Sequence, residues 1–427
     1  MTLPAAITAA YTGILKEELM VAMGCTEPIA IAYGASILRA TLGRDPENIR
    51  ILLSGNIIKN VKSVIVPATG GLHGIEAAVA AGIVANAPQL RLEVLSSLDE
   101  GKQSLIKDFM ARCSFDLEEM QTECTFDLLL IATAGGSTCR VQISKYHTNV
   151  TLVDLDGQDL TEGYLDTLAE HDLHKTDRSL LNVKDIVTFA QEAPLDELKP
   201  LLLRQVEMNM AIAQEGLTGS YGAGIGKLLY SDGQASLRDQ ARAMAAAGSD
   251  ARMSGCEMPV SIISGSGNQG ITASVPVVVY AQAKGVGEEA MLRAVLLSDL
   301  ITIHQKTGIG CLSAYCGAIS AGCGSGCGIC FLDGGGFYEI AHTLVNAVAI
   351  LSGTICDGAK PSCAAKIAMA VEAGIMGYEM MRSGRQFYGG DGIVTKGVEN
   401  TIQNIGRLAR DGMSQTDKEI IQIMLGS

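Results

Sequence analysis

The chain contains no tryptophan, and only 4% of its 427 residues are aromatic. A core of stacked rings is therefore excluded, and small residues have to fill the interior. The 49 glycines and many alanines suit helices whose backbones approach closely. Basic runs are missing as well: the formal charge is −14, which argues against a nucleic-acid surface, because phosphate binding needs concentrated cations. The start MetThrLeuProAlaAlaIle has neither a basic n-region nor an apolar h-region. The twelve cysteines are thus expected to be thiols in a reducing compartment, the cytoplasm. Two long uncharged stretches, Met258–Ala283 and Thr307–Leu332, are rich in Gly, Ser, Cys, Asn and Gln. They suit packed, buried helices better than lipid-facing ones, and no membrane span is expected. The expected partners are small molecules or a second copy of the chain, as in a homodimer.

What is present is ample apolar material: 48% of the residues are hydrophobic, enough for two or three domains. Helical spacing marks Pro4–Met23 and Pro28–Leu42. The period then shortens, and 49–53 and 61–66 look like strands joined by SerGlyAsnIleIleLysAsn (54–60). A glycine-rich turn at 68–74 leads into an alanine-rich helix. Leu92–Leu95, Thr125–Ala132, Cys139–Ile143 and Asn149–Leu155 continue the strand pattern, and the polar stretch Asp156–Asn182 is the best boundary. Beyond it the helical period dominates in Ile186–Glu192, Leu195–Glu215, Ser236–Ala247, Ile271–Ala283, Glu288–Thr302, Tyr338–Leu351 and Ala364–Met376. The expected fold class is α+β: a mostly helical catalytic domain, 176–427, with a smaller α/β domain, 46–175, inserted near the N-terminus. Residues 1–45 would be N-terminal helices that carry Cys25 and pack on the catalytic domain.

Several short stretches carry chemistry. GlyCysThrGluPro (24–28) places Cys25 just before a helix whose first position suits Pro28, where free amides and the macrodipole favour an anion and lower a thiol pKa; a buried small apolar residue is the plainer reading. GlySerGlyAsnGlnGly (265–270) delivers consecutive N–H groups beside Ser266, Asn268 and Gln269, which fits a substrate carboxylate or a simple polar cap. Lys59, Asn60 and His73 lie on turns that can face a ligand, although His73 reads better as a solvated turn residue. Cys323, Cys327 and Cys330 have the C-x₃-C-x₂-C spacing of radical enzymes that use S-adenosylmethionine. On a helix, however, three such ligands line up along the axis at 1.5 Å per residue and cannot cap one compact cluster, and zinc fares no better. Cys316, Cys356 and Cys363 are 40 and 7 residues apart. If they form a ligand set, three thiolates on a cubane iron–sulfur cluster leave one iron open to act as a Lewis acid.

Together, the motifs at 24–28, 54–60 and 265–270, IleGlyCysLeuSerAlaTyrCysGlyAla (309–318) and IleCysAspGlyAlaLysProSerCys (355–363) resemble the L-cysteine desulfidase family, a relative of the α-chain of iron–sulfur L-serine dehydratases. The likeness runs end to end and in order. It implies that Cys316, Cys356 and Cys363 hold an oxygen-sensitive [4Fe–4S] cluster, and that Cys25 belongs to the active site as base or displaceable fourth ligand. It assigns no role to Cys323, Cys327 and Cys330, which read as packing residues, as do Cys256 and Cys311. The implied reaction is loss of hydrogen sulfide from L-cysteine to give pyruvate and ammonia without pyridoxal phosphate. Ser266, Asn268, Gln269, Lys59 and Asn60 would bind the small amino-acid substrate. The same chemistry on L-serine is the alternative; a non-catalytic, thiol-rich metal-binding protein is a further one. His304 and Lys306 can approach the cluster or form a satisfied polar pair.

Overall fold

The computed structural model describes residues 3–165, 176–230, 235–310, 313–390 and 392–425. Its helices are α1 Ala5–Glu18, α2 Thr26–Leu42, α3 Gly55–Val61, α4 Gly74–Ala85, α5 Glu100–Arg112, α6 Val183–Glu192, α7 Lys199–Thr218, α8 Ile225–Tyr230, α9 Leu237–Met253, α10 Gly267–Lys284, α11 Glu288–Ile309, α12 Gly317–Leu332, α13 Phe337–Ile350, α14 Cys363–Arg382, α15 Val398–Arg407 and α16 Ser414–Leu425. Its strands are β1 Val21–Met23, β2 Asn48–Leu53, β3 Ser114–Glu119, β4 Asp127–Ala134, β5 Ser137–Ser144, β6 Val150–Leu155, β7 Gln158–Asp159 and β8 Pro259–Ser261. The fold is α+β. A six-stranded sheet in the order β3-β2-β4-β5-β6-β7 is parallel only between β2 and β3; its other pairs are antiparallel.

The sheet alternates buried and more exposed residues, as in Leu128, Leu130 and Ala132 of β4, and its apolar face packs on α2, with α4 behind. The helical body is continuous with it: one apolar cluster includes Ile29, Leu128, Val295 and Val371. The N-terminal segment belongs to both parts, because α2 packs on the sheet while β1 pairs antiparallel with β8 of the helical body. The sequence pointed to packing on the helical body alone.

Several local expectations are corrected. Residues 54–61 are mostly helix α3 rather than a connection, since Ile57, Ile58 and Val61 share one buried face. Residues 61–66 make only an isolated bridge, between Ile65 and His73. Leu92–Leu95 lies in a 3₁₀ segment, Pro88–Ser97, whose Leu92, Val94 and Leu95 are buried. The helical pattern through Met23 ends at Glu18 and gives way to β1. Strand β3 had no clear signal because SerPheAspLeuGluGlu is a mostly polar edge strand. The Asp156–Asn182 boundary lies partly outside the described residues.

Helices α12 and α14 set the geometry of the site. A Cβ on Gly322 would lie 2.3 Å from the Ala370 carbonyl oxygen, and one on Gly326 would lie 2.4 Å from that of Gly374. The constant sequence offset of these pairs means that the two helices run parallel and in register. Their N-termini, at Cys316 and Cys363, therefore lie side by side. Replacing Gly326 by Leu should force the two backbones apart and lower stability by roughly 1–3 kcal/mol or more, read as a fall in thermal midpoint. An unchanged midpoint would contradict the close crossing.

Candidate active site

Four helix N-termini meet at one cavity. Cys25 precedes α2, Ser266 precedes α10, Cys316 precedes α12, and Cys363 opens α14; all four residues line the same hollow. The first N–H groups of each helix have no intrahelical acceptor, and the macrodipole adds positive potential, so the hollow is built for negative charge.

Cys356 joins this group through backbone pairing. Tyr315 and Ile355 form an antiparallel bridge; Cys316 N–H donates to the Thr354 carbonyl at 2.9 Å, and Cys356 N–H donates to the Ala314 carbonyl at 2.7 Å. Residues 316 and 356 thus fall on the same face of a short ladder. The Cys316 thiol donates to Cys356; this interaction, with burial, holds Cys316 protonated and brings Cys356 down to about 6 against the effect of burial, helped by the charge of Lys59. Lys366 also lowers Cys356, and it is held beside the ladder by the Asp357 carboxylate at 2.7 Å and the Ile355 carbonyl at 2.9 Å. Burial raises Cys363, partly opposed by the Lys360 backbone amide and by Lys366 and Arg252.

The structure therefore brings together the three thiols that the sequence proposed as cluster ligands. Among the described residues, no three His, Cys, Asp or Glu side chains are close enough to grip a single ion. A cluster has bulk of its own and is held by thiolates spread around a hollow. Soft donors, nearby cations and converging helix termini fit such a group.

Cys25 lies across the same cavity. Its thiol donates to Glu27 Oε2 at 3.1 Å, and Asn60 Nδ2 donates to Glu27 Oε1 at 2.8 Å. Burial and then the Glu27 charge push Cys25 well above the ordinary thiol range, against a smaller opposing effect of Arg252. The expectation of a thiolate at this helix terminus is thus corrected: in the resting site the proton is on sulfur, and the negative charge is on the neighbouring carboxylate. Burial raises Glu27, but His147, the Cys25 thiol and Asn60 outweigh it and hold the carboxyl below its usual value. His147 comes from the β5–β6 loop and packs on Phe126, with ring centroids 4.6 Å apart. Burial lowers its pKa despite Glu27. No local sequence pattern marked His147.

The remaining candidates separate. Ser266, Asn268, Gln269 and Asn60 line the cavity, and Gln269 Oε1 and Asn60 Oδ1 are buried without a hydrogen-bond partner. Lys59 is the exception among the proposed substrate contacts. It is not in the cavity wall; its ammonium is buried in an ion pair with Asp417, because α16 packs on α3 and covers it. Lys306 lines the cavity, whereas His304 is committed to Glu399 Oε2 at 2.7 Å. His73 is an exposed turn residue. Cys323, Cys327 and Cys330 are buried along α12, and Cys256 is buried as well. Cys311 lies outside the described residues. Arg252, at the end of α9, also lines the cavity and was missed because an isolated arginine in a helix carries no motif. Among the described residues, no helix is long and apolar enough to cross a membrane.

Residues 89–422 match the family described as the serine dehydratase alpha chain. A UPF0597 protein of Desulfitobacterium hafniense is 53% identical over 416 residues, covering 97% of this chain and 96% of its own. A UPF0597 protein of Treponema denticola is 44% identical over 420 residues, covering 97% of each chain. The family match contains Arg252, the 266–269 turn and the three clustered cysteines; Cys25, Glu27 and Asn60 precede it.

Glu27→Gln tests the electrostatics of the Cys25 pocket. Because the folded carboxyl titrates below its usual value, its ionised form stabilises the fold fully at neutral pH, and that contribution fades as pH falls through the folded pKa. The variant should lose roughly 1–3 kcal/mol at pH 7 and progressively less in acid, as read by denaturation at several pH values. A penalty independent of pH would sink this account.

Proposed function

Because the chain belongs to the serine dehydratase alpha-chain family, which relates it to the iron–sulfur dehydratase lyases, we propose that it is a [4Fe–4S]-dependent L-cysteine desulfidase. It eliminates hydrogen sulfide from L-cysteine and yields pyruvate and ammonia without pyridoxal phosphate. The supporting observation is the convergence of Cys316, Cys356 and Cys363 on one cavity opposite Cys25. The three thiolates would hold the cluster, and Lys366 and Lys59 would offset part of their charge. When bound, an open iron supplies Lewis acidity toward the substrate's β-sulfur, a soft donor.

The chain's own residues handle the proton. Cys25 Sγ is the base toward Cα–H, and its resting contact with Glu27 gives its existing proton somewhere to go. As Sγ accepts the substrate proton, its own passes to Glu27 Oε2, so the pair, which carries one negative charge at rest, becomes neutral. The Cα–H electron pair forms the Cα=Cβ bond, the Cβ–S bond breaks, and sulfur leaves as hydrosulfide, to be protonated as hydrogen sulfide. The remaining aminoacrylate tautomerises to an imine, and one water converts it to pyruvate and ammonia. Asn60 fixes the carboxylate of Glu27, while Ser266, Asn268 and Gln269 orient the substrate. The proposed setting is the reducing cytoplasm, with a small amino acid as partner and a homodimer as the assembly.

The test is anaerobic reconstitution, with iron and sulfide content measured beside sulfide release from L-cysteine and pyruvate release from L-serine. L-Cysteine should turn over faster. Faster L-serine turnover would reassign the enzyme as an L-serine ammonia-lyase, and a loaded protein inert toward both would be a thiol-rich metal-binding protein. Single Ser replacements of Cys316, Cys356 or Cys363 should lower iron content. Cys25→Ala should abolish elimination with iron largely retained; loss of iron in that variant would make Cys25 an obligatory ligand.

A further inference from the structure

Arg252 is a buried cation on the cavity wall with an unsatisfied guanidinium nitrogen. It is 4% exposed, and among the described residues it makes no ion pair. Its Nη1 donates to the neutral Asn268 Oδ1 at 3.2 Å, and its Nε has no acceptor. Two other cations near the site are committed to carboxylates, Lys59 to Asp417 and Lys366 to Asp357, and Lys306 also lines the cavity. Taking a guanidinium out of water without a counter-charge is costly, and such a group is retained most readily where a ligand supplies the missing anion.

Its position identifies that anion. Arg252 lines the cavity with the four cysteines, and its charge is felt at Cys25 and Cys363, which line it too, and at His147. It also lies against the start of α10: a Cβ on Gly267 would come within 2.4 Å of Arg252 Nε. Gly267 thus allows the guanidinium to sit beside the free first-turn amides of that helix. A planar fork and a helix terminus together form a site for a carboxylate.

We propose that Arg252, with Asn268 and the first-turn amides of α10, binds the substrate's α-carboxylate and restricts the enzyme to free α-amino acids. This rests on the lyase reading above for the identity of the substrate, while the binding geometry stands apart from turnover. Because the Arg fork presents two parallel donors, lysine is a poor substitute.

The experiment has a kinetic and a binding arm. In the anaerobically loaded enzyme, Arg252→Gln should raise KM for L-cysteine on the order of 100-fold with a smaller change in kcat, Arg252→Lys should fall between, and the preference for L-cysteine over cysteamine, which lacks the carboxylate, should collapse. In the binding arm, thermal shift is recorded with L-alanine, which has no leaving group, and with ethylamine, which lacks the carboxylate. Wild type should be stabilised by L-alanine and not by ethylamine, and Arg252→Gln by neither, with each variant's ligand-free melt reporting whether it folds. Loss of the L-alanine shift in folded Arg252→Gln or Arg252→Lys supports the assignment even if no amino acid is turned over, a result that would count against the lyase reading alone. An unchanged shift in either folded variant, or no shift in wild type at millimolar L-alanine, overturns it.

Discussion

The site depends on concentrating negative charge in a place poor in water. Several sulfurs and the Glu27 carboxylate border one hollow, and a charge buried without compensation would either be protonated or destabilise the fold. Compensation comes from both helix termini and side chains. The N-termini at Cys25, Ser266, Cys316 and Cys363 border one cavity, and Lys59, Lys366 and Arg252 add full charges near it. Cys356, which has no helix terminus of its own, is lowered by the charges of Lys59 and Lys366.

Bringing helix termini together requires close helix crossings, which explains the composition. The α12–α14 contact runs through Gly322, Gly326, Ala370 and Gly374, where larger side chains would force the axes and their terminal cysteines apart. Lack of tryptophan and abundance of glycine are two sides of this constraint. It also suits Cys323, Cys327 and Cys330: at those buried positions along α12 a thiol packs as a small apolar group.

The parts of the site legible in the sequence were those encoded locally. A cysteine before Pro28 announces a helix start, the 265–270 turn announces another, and the three clustered cysteines stand in distinctive segments. Most of the long helices of 183–382 were visible from their period, α12 being the exception because its run of Gly, Ala, Ser and Cys carries no apolar stripe. What escaped depends on tertiary neighbours. Arg252 acquires meaning only because α9 ends at the hollow, and His147 only because the β5–β6 loop brings it near Glu27. Lys59 looked like a substrate contact until α16, from the far end of the chain, supplied Asp417. The helix at 55–61 was obscured by flanking strand-like residues, since a short apolar run satisfies either period.

The thiol of Cys25 shows how such neighbours reverse a local rule. A helix N-terminus by itself favours thiolate, yet here burial and the carboxylate two residues later outweigh it. Glu27 keeps the charge because Asn60 and Cys25 donate hydrogen bonds to it and His147 lies near. Asn60 follows β2 and His147 follows β5, so the surroundings of Glu27 are set by the sheet, and the placement of Cys316 and Cys363 by the parallel helices. The strand pair β1–β8 ties α2 to the helical body next to the Ser266 turn, which keeps these two sides in register. The relative placement of Cys25 and the three clustered cysteines is thus a property of the whole fold rather than of either part.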